Sequence, residues 1–147
     1  MNEAKLLPVE KIIEIDLEKN NPGVNYTAKQ VIAMTSKMLE QGWKTKRVSN
    51  TLFFVKDEGK DVIFHTMTAE RPDKLEMSAM SFYLNELKRG KERAITYFDN
   101  PTIIRLFKRM TGAETVVKSD KPNLGKYKAI VDLPAAAKFY QEHLRGQ

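Results

Sequence analysis

Between Arg93 and Lys118 one short helical pattern stands between two β-like runs, an order that restricts the chain to mixed α/β architectures. Ala94-Ile95-Thr96-Tyr97-Phe98 reads as a strand, Asp99-Asn100-Pro101 stops it, and Ala113-Glu114-Thr115-Val116-Val117-Lys118 reads as a strand again. Asn100 suits a helix cap, because its side-chain oxygen can take a free N–H of the first turn. Pro101 suits the first helical position, where its missing N–H costs nothing. Ile103, Leu106, Phe107 and Met110 then fall at i, i+3, i+4 and i+7, a single apolar face, and Gly112 ends the helix.

The rest of the chain extends this alternation. Leu6 to Glu18 is ambiguous: Val9, Ile12, Ile13 and Leu17 fit a helix, while Ile13-Glu14-Ile15-Asp16-Leu17 also fits a strand. Asn20-Asn21-Pro22-Gly23 reads as a turn. Thr27 to Gln41 follows as a helix with Val31, Ile32, Met38 and Leu39 inward, ended by Gly42. Trp43–Val48, Thr51–Lys56 and Asp61–Thr68 read as three strands joined by tight turns, which implies an antiparallel meander. Pro72 and Asp73 open a helix over Lys74 to Arg89, with Leu75, Ala79, Phe82, Tyr83 and Leu87 as its stripe. Met77 and Met80 lie off that stripe and hint at a second covered face. The strand Ala113–Lys118 pairs with Tyr127–Leu133 across a turn. A last helix, Pro134 to Leu144, turns Ala136, Phe139, Tyr140 and His143 inward. The expectation is one α/β (α+β) domain over residues 1–147.

Composition limits the chemistry. The 147 residues suffice for one real core, and 41% hydrophobic with 30% charged is ordinary for a globular chain. No apolar run approaches a membrane span and no signal-peptide pattern opens the sequence, so the expectation is a chain that is not secreted and that lies in the cytoplasm or in a virion. With no cysteine there is no disulfide, thiolate metal site or cysteine nucleophile. His65 and His143 are far apart and show no ligand spacing. The glycines all fall at turns or element ends, and no phosphate cradle, nucleophile elbow or zinc-protease motif occurs.

The net charge of +6 is uneven: Glu86 to Lys128 carries 11 basic and 5 acidic residues, whereas Met1 to Glu40 carries 5 and 6. Such a region could bind phosphates, nucleic acid or an acidic protein face. No basic-plus-aromatic nucleic-acid module accompanies it, so the cations read first as solvated faces of a helix and its flanking strands. His65, near the end of its strand, is the one residue with the chemistry of a general base. A half-buried structural histidine is the commoner occupant of such a place.

The element order of helix, three-strand meander, helix, strand, helix and two strands resembles the GNAT superfamily of acetyl-CoA-dependent N-acetyltransferases over about Thr27 to Leu133. The segment Asn100-Pro101-Thr102-Ile103-Ile104-Arg105-Leu106-Phe107-Lys108-Arg109-Met110-Thr111-Gly112 is similar to the family's late helix. The resemblance implies a mixed, mostly antiparallel central sheet flanked by helices, with an extra C-terminal helix. It also implies a coenzyme loop of the form Arg/Gln-x-x-Gly-x-Gly/Ala, whose backbone N–H groups hold pyrophosphate at a helix N-terminus.

Two departures follow. At that loop stands Arg71-Pro72-Asp73-Lys74-Leu75-Glu76: Arg71 fits, Lys74 and Glu76 replace glycines, and Pro72 removes a donor. Asp73 and Glu76 would repel a pyrophosphate by roughly 1 kcal/mol per contact at about 4 Å in water, and by more away from it. Phe107 stands where the family commonly has the tyrosine that protonates the leaving thiolate. The expectation is a non-catalytic GNAT-like domain with no catalytic, cofactor-binding or metal-binding residue, which takes no cofactor and binds a protein partner. Degenerate GNAT-like domains occur among phage virion components, and a compact, lysine-rich, cysteine-free chain suits a virion or assembly role. The alternatives are an N-acyltransferase using Arg71 and Lys74 for phosphate and His65 as base, or a nucleic-acid-associated protein using the Lys88–Lys128 region. Phe107→Tyr restores the family's hydroxyl at nearly constant volume. It is expected to cost about 1–3 kcal/mol as an unpartnered hydroxyl and to give no acetyl transfer, as read by denaturant melts and a thiol-release assay.

Overall fold

The computed structural model describes residues 6–20, 27–99 and 114–143. The Asn100–Met110 helix, with Leu106 and Phe107, lies outside them, as does most of the Asn20–Gly23 turn. Among the described residues there are four helices and one six-stranded sheet of order β1-β2-β3-β4-β6-β5. The strands are β1 (Lys44–Val48), β2 (Thr51–Glu58), β3 (Asp61–Thr68), β4 (Arg93–Phe98), β5 (Glu114–Lys118) and β6 (Tyr127–Asp132), and the helices are α1 (Val9–Asn20), α2 (Ala28–Glu40), α3 (Pro72–Lys88) and α4 (Leu133–His143). Contacts divide the chain into two compact units, residues 1–56 with 66–78, and residues 57–65 with 79–147.

In the first unit the ambiguous opening segment is helix α1. Its first turn closes on the Pro8 carbonyl, which accepts from the Lys11 and Ile12 N–H groups. Helical spacing puts Glu10, Glu14 and Glu18 outside and Ile12, Ile13 and Asp16 inside, at 0%, 1% and 4% exposure. A strand would have carried Glu14 to the same face as Asp16. Ile12 and Ile13 pack with Leu52 and Phe54 of β2. Helix α2 begins at Thr27 with a capping box: the Thr27 N–H donates to Gln30 Oε1 at 2.8 Å, and Thr27 Oγ1 accepts from the Gln30 N–H at 3.2 Å. Val31, Ile32 and Met38 pack against this core, but Leu39, expected inward, is 47% exposed, so the covered stripe narrows to Met38 in the last turn. Strands β1 and β2 pair antiparallel from Lys44↔Val55 to Val48↔Thr51, across a two-residue turn in which Ser49 takes a φ of 53°.

In the second unit β4 pairs antiparallel with β6, and β6 with β5. Strand β3 pairs with β4 in parallel, over Asp61↔Arg93 to Ile63↔Ile95 only. A parallel pair needs a crossover, and α3 supplies it. On the part of α3 in this unit Ala79, Met80, Phe82 and Tyr83 are buried, and Phe64 of β3 meets the Phe82 and Tyr83 rings at 5.2 and 6.2 Å. Of the two methionines off the stripe, Met80 is covered and Met77 is 72% exposed. Leu87 is only half-buried, while Glu86 is fully enclosed and ion-paired with Arg89 at 3.2 Å. Helix α4 is capped by Asp132, whose Oδ1 accepts the Ala135 N–H at 3.0 Å. It buries Leu133 and Ala136, with Phe139 and Tyr140 half-covered.

Gly125 opens the approach to β6. A Cβ there would stand 2.6 Å from the Phe98 nitrogen and 2.9 Å from its carbonyl oxygen, both backbone atoms that cannot rotate away. Gly125→Ala is expected to push the turn off β4 and cost about 1–3 kcal/mol as an overpacked site, measured as a lower urea midpoint. An unchanged midpoint would show that the turn does not rest on β4.

Candidate functional site

The segment from the end of β3 into α3, in the first unit, is where the sequence places the coenzyme loop. The backbone leading into Arg71 is already committed. The Thr68 N–H donates to Asp16 Oδ1 at 3.0 Å, the Ala69 N–H to the Asn50 carbonyl at 3.0 Å, and the Glu70 N–H to Thr68 Oγ1 at 2.9 Å. Pro72 has no N–H to give. The hydroxyls close a ring: Thr68 and Thr51 share a hydrogen bond of 2.6 Å, Thr51 donates to Glu70 Oε1, and Ser78 donates to the same oxygen at 2.7 Å. Thr51, Thr68 and Ser78 are buried, so these bonds form away from competing water. Arg71 and Lys74 are exposed, and Glu70, Asp73 and Glu76 outnumber them three to two across Glu70 to Glu76. The segment is therefore filled by its own carboxylate and carries a small negative excess.

In the second unit the parallel register of β3 with β4 ends at Ile63↔Ile95, while β4 stays paired with β6 as far as Phe98↔Tyr127. His65 lies two residues beyond the last parallel pair and is half-buried. Burial pushes its pKa below the ordinary 6.5 and keeps the imidazole neutral at neutral pH. His65 belongs to the second unit and Arg71 and Lys74 to the first. The side chain of His143 lies outside the described residues. Tyr97 is a buried residue whose hydroxyl donates to Asp120 Oδ1 at 3.2 Å, and burial, then that carboxylate, push the phenol up to about 12. Burial alone would raise Asp120. Hydrogen bonds from the backbone, Tyr97 and Lys128 hold it below the usual carboxylate range instead.

Part of the basic region is paired from a distance. Asp57, at the β2–β3 turn, accepts from Arg89 and lies 3.4 Å from Lys91 Nζ, and Glu58 lies 3.9 Å from Lys121. Asp61 takes Arg93 through two nitrogens, at 2.9 and 2.8 Å. These carboxylates stand about thirty residues or more from their cations in sequence, outside the window whose charge reads as +6. No sequence signal points to the Asp16–Thr51–Thr68–Glu70–Ser78 set either, because its members come from α1, β2, β3, the turn after it and α3. Among the described residues no group of three or more metal-ligating side chains gathers, and no helix is long and apolar enough to cross a membrane.

No family model matches the chain, and no curated protein matches it in sequence. Solved structures match it in shape. One described as apo FdhC, a nucleotide-linked sugar GNAT, aligns over 96% of this chain and 92% of its own, with a TM-score of 0.57 at 9% identity. Ard1 from Thermoplasma volcanium aligns over 86% and 92%, with a TM-score of 0.49 at 8% identity. The ribosomal-protein-S18-alanine N-acetyltransferase from Escherichia coli aligns over 89% and 91%, with a TM-score of 0.48 at 12% identity. The first of these carries the assignment, in agreement with the mixed, mostly antiparallel six-stranded sheet and its helices. In fold, the chain is a GNAT-like domain.

Proposed function

We propose that this GNAT-like domain is non-catalytic and acts by binding another protein. One observation carries the reading: at the entrance to the expected loop the Glu70 carboxylate closes on Thr51 and Ser78, the Thr68, Ala69 and Glu70 N–H groups before it are spent inside the protein, and within the loop Pro72 offers no donor. A phosphate entering there would have to displace the Glu70 carboxylate from Thr51 and Ser78 while facing Asp73 and Glu76. Acetyl-CoA at about 1 mM is expected to leave the melting temperature unmoved, whereas a ligand at a hundred times its Kd adds about 2.7 kcal/mol. A clear upward shift, checked by calorimetric titration, would overturn this reading.

His65 favours one second reading, an N-acyltransferase with an atypical coenzyme segment. A neutral imidazole can take the proton that an attacking amine loses. As pH falls, the unfolded chain takes up its proton near 6.5, before the folded one. The stability His65 contributes is therefore complete above about pH 6.5 and is lost as pH falls from there through the depressed folded pKa. His65→Gln is expected to flatten that part of the stability profile. In the wild type the imidazole NMR titration is expected to have its midpoint below 6.5. A midpoint at or above that value would remove the support for this second reading.

A further inference from the structure

Strand β5 ends the sheet order, and among the described residues it pairs only with β6, so one row of its N–H and C=O groups has no strand beside it. The sheet's two edges are guarded differently. At the other end, β1 reads Lys-Thr-Lys-Arg-Val, three cations in five residues, the charged pattern that discourages strand addition. Strand β5 reads Glu-Thr-Val-Val-Lys, with no charge, proline or glycine at its three central positions and with Val117 42% exposed. At the β5–β6 hairpin lies an open groove of about 740 Å³, lined by Val116, Val117, Lys118, Pro122, Lys126 and Tyr127. Tyr127 is fixed there by stacking on Phe98, with ring centroids 5.5 Å apart.

The charge around the groove separates into two kinds. Lys121 and Lys128, on the same hairpin, are answered by Glu58 and Asp120. Lys118 and Lys126 are exposed, and among the described residues no carboxylate pairs with either ammonium. We infer that β5 is a docking edge for an extended acidic segment of another protein. Such a segment adds as a further strand, places an apolar side chain against Val117, and sets Asp or Glu against Lys118 and Lys126. Main-chain hydrogen bonds supply attraction that tolerates many sequences, and the two lysines supply the preference for acid. Five residues of strand make a small contact, so the complex belongs to the weak, transient class. The inference rests on the protein-binding reading above and names its partner chemistry.

The test uses the full chain and two synthetic peptides of one alternating valine–threonine sequence, one ended by glutamates and one by lysines. The acidic peptide is expected to bind. It should protect β5 amides from hydrogen exchange and weaken as salt rises from about 0.05 to about 0.5 M, which shortens the screening length about threefold. Lys118→Glu with Lys126→Glu should weaken it at least about tenfold and leave the melting temperature unchanged, because both side chains are exposed and unpaired. Val117→Glu, a second exposed position, should do the same. Equal binding of the two peptides, protection away from β5, or a dimer of the chain that itself protects β5 would each overturn the inference. Acetyl-CoA is titrated in parallel. If the acidic peptide fails while acetyl-CoA leaves the melting temperature unmoved, the docking edge falls alone. If acetyl-CoA raises it, the non-catalytic reading falls whatever the peptide does.

Discussion

One parallel strand pair, three residues long, decides how the second unit is built. Parallel strands cannot be joined by a tight turn, so β3 and β4 depend on α3 to cross over and on side chains to hold their start. A charged clamp does this. Arg93 grips Asp61 at the first register pair, Arg89 joins Asp57 to the enclosed Glu86, and Lys91 reaches the Gly59 carbonyl at 2.7 Å. Backbone bonds run alongside, from the Glu92 N–H to the Lys60 carbonyl and from the Leu133 N–H to the Glu92 carbonyl. Arg93 and Asp61 are partly exposed, and such a pair alone contributes at most about 1 kcal/mol. Glu86 differs, because removing the partner of an enclosed carboxylate costs about 3–5 kcal/mol even where the pair adds little net stability. The clamp therefore acts more as a specification of register than as a source of stability.

The same clamp bears on the charge window. Three carboxylates outside residues 86–128, Asp57, Glu58 and Asp61 on the β2–β3 hairpin, pair with cations inside that window. Burial would raise the Asp57 carboxyl, yet Arg89 and Lys91 together hold it below its ordinary range. It therefore stays ionised at neutral pH. What remains of the positive charge is local, and Lys118 and Lys126 are the part of it beside an uncharged strand edge.

The local signals in the sequence were legible in proportion to how little they depended on distant partners. The turn at Gly59, the helix that follows Thr27, strand β3 and the β5–β6 pairing are written in neighbouring residues, and each stands where the pattern puts it. The opening segment was ambiguous because Ile12, Ile13 and Asp16 satisfy either period until β2 and Thr68 are there to receive them. Leu39 misled because periodicity gives the face of a helix but not how far along it the cover extends. At the candidate site, Pro72, Asp73 and Glu76 were visible as departures from a phosphate loop. Glu70 was not, since nothing nearby announces that its carboxylate closes on Thr51 and Ser78.

That closure couples the stability of the β3–α3 segment to its chemistry. A loop that holds pyrophosphate keeps its N–H groups unsatisfied, or bound to water, until the ligand arrives. In the stretch leading into Arg71 the fold supplies the acceptors internally to the Thr68, Ala69 and Glu70 N–H groups: an Asp16 oxygen, the Asn50 carbonyl and the Thr68 hydroxyl. Hydrogen bonds to an ionised carboxylate contribute about 1.5–3 kcal/mol each, and Glu70 receives two, from buried hydroxyls that would be stranded if it left. A phosphate would have to exceed both losses before gaining any net affinity, and would do so beside two further carboxylates. Restoring a coenzyme loop by removing Glu70 alone would leave Thr51 and Ser78 buried without their acceptor. A phosphate site at this segment would therefore need more than the loss of Glu70, and on the non-catalytic reading this is what holds the segment in its present form.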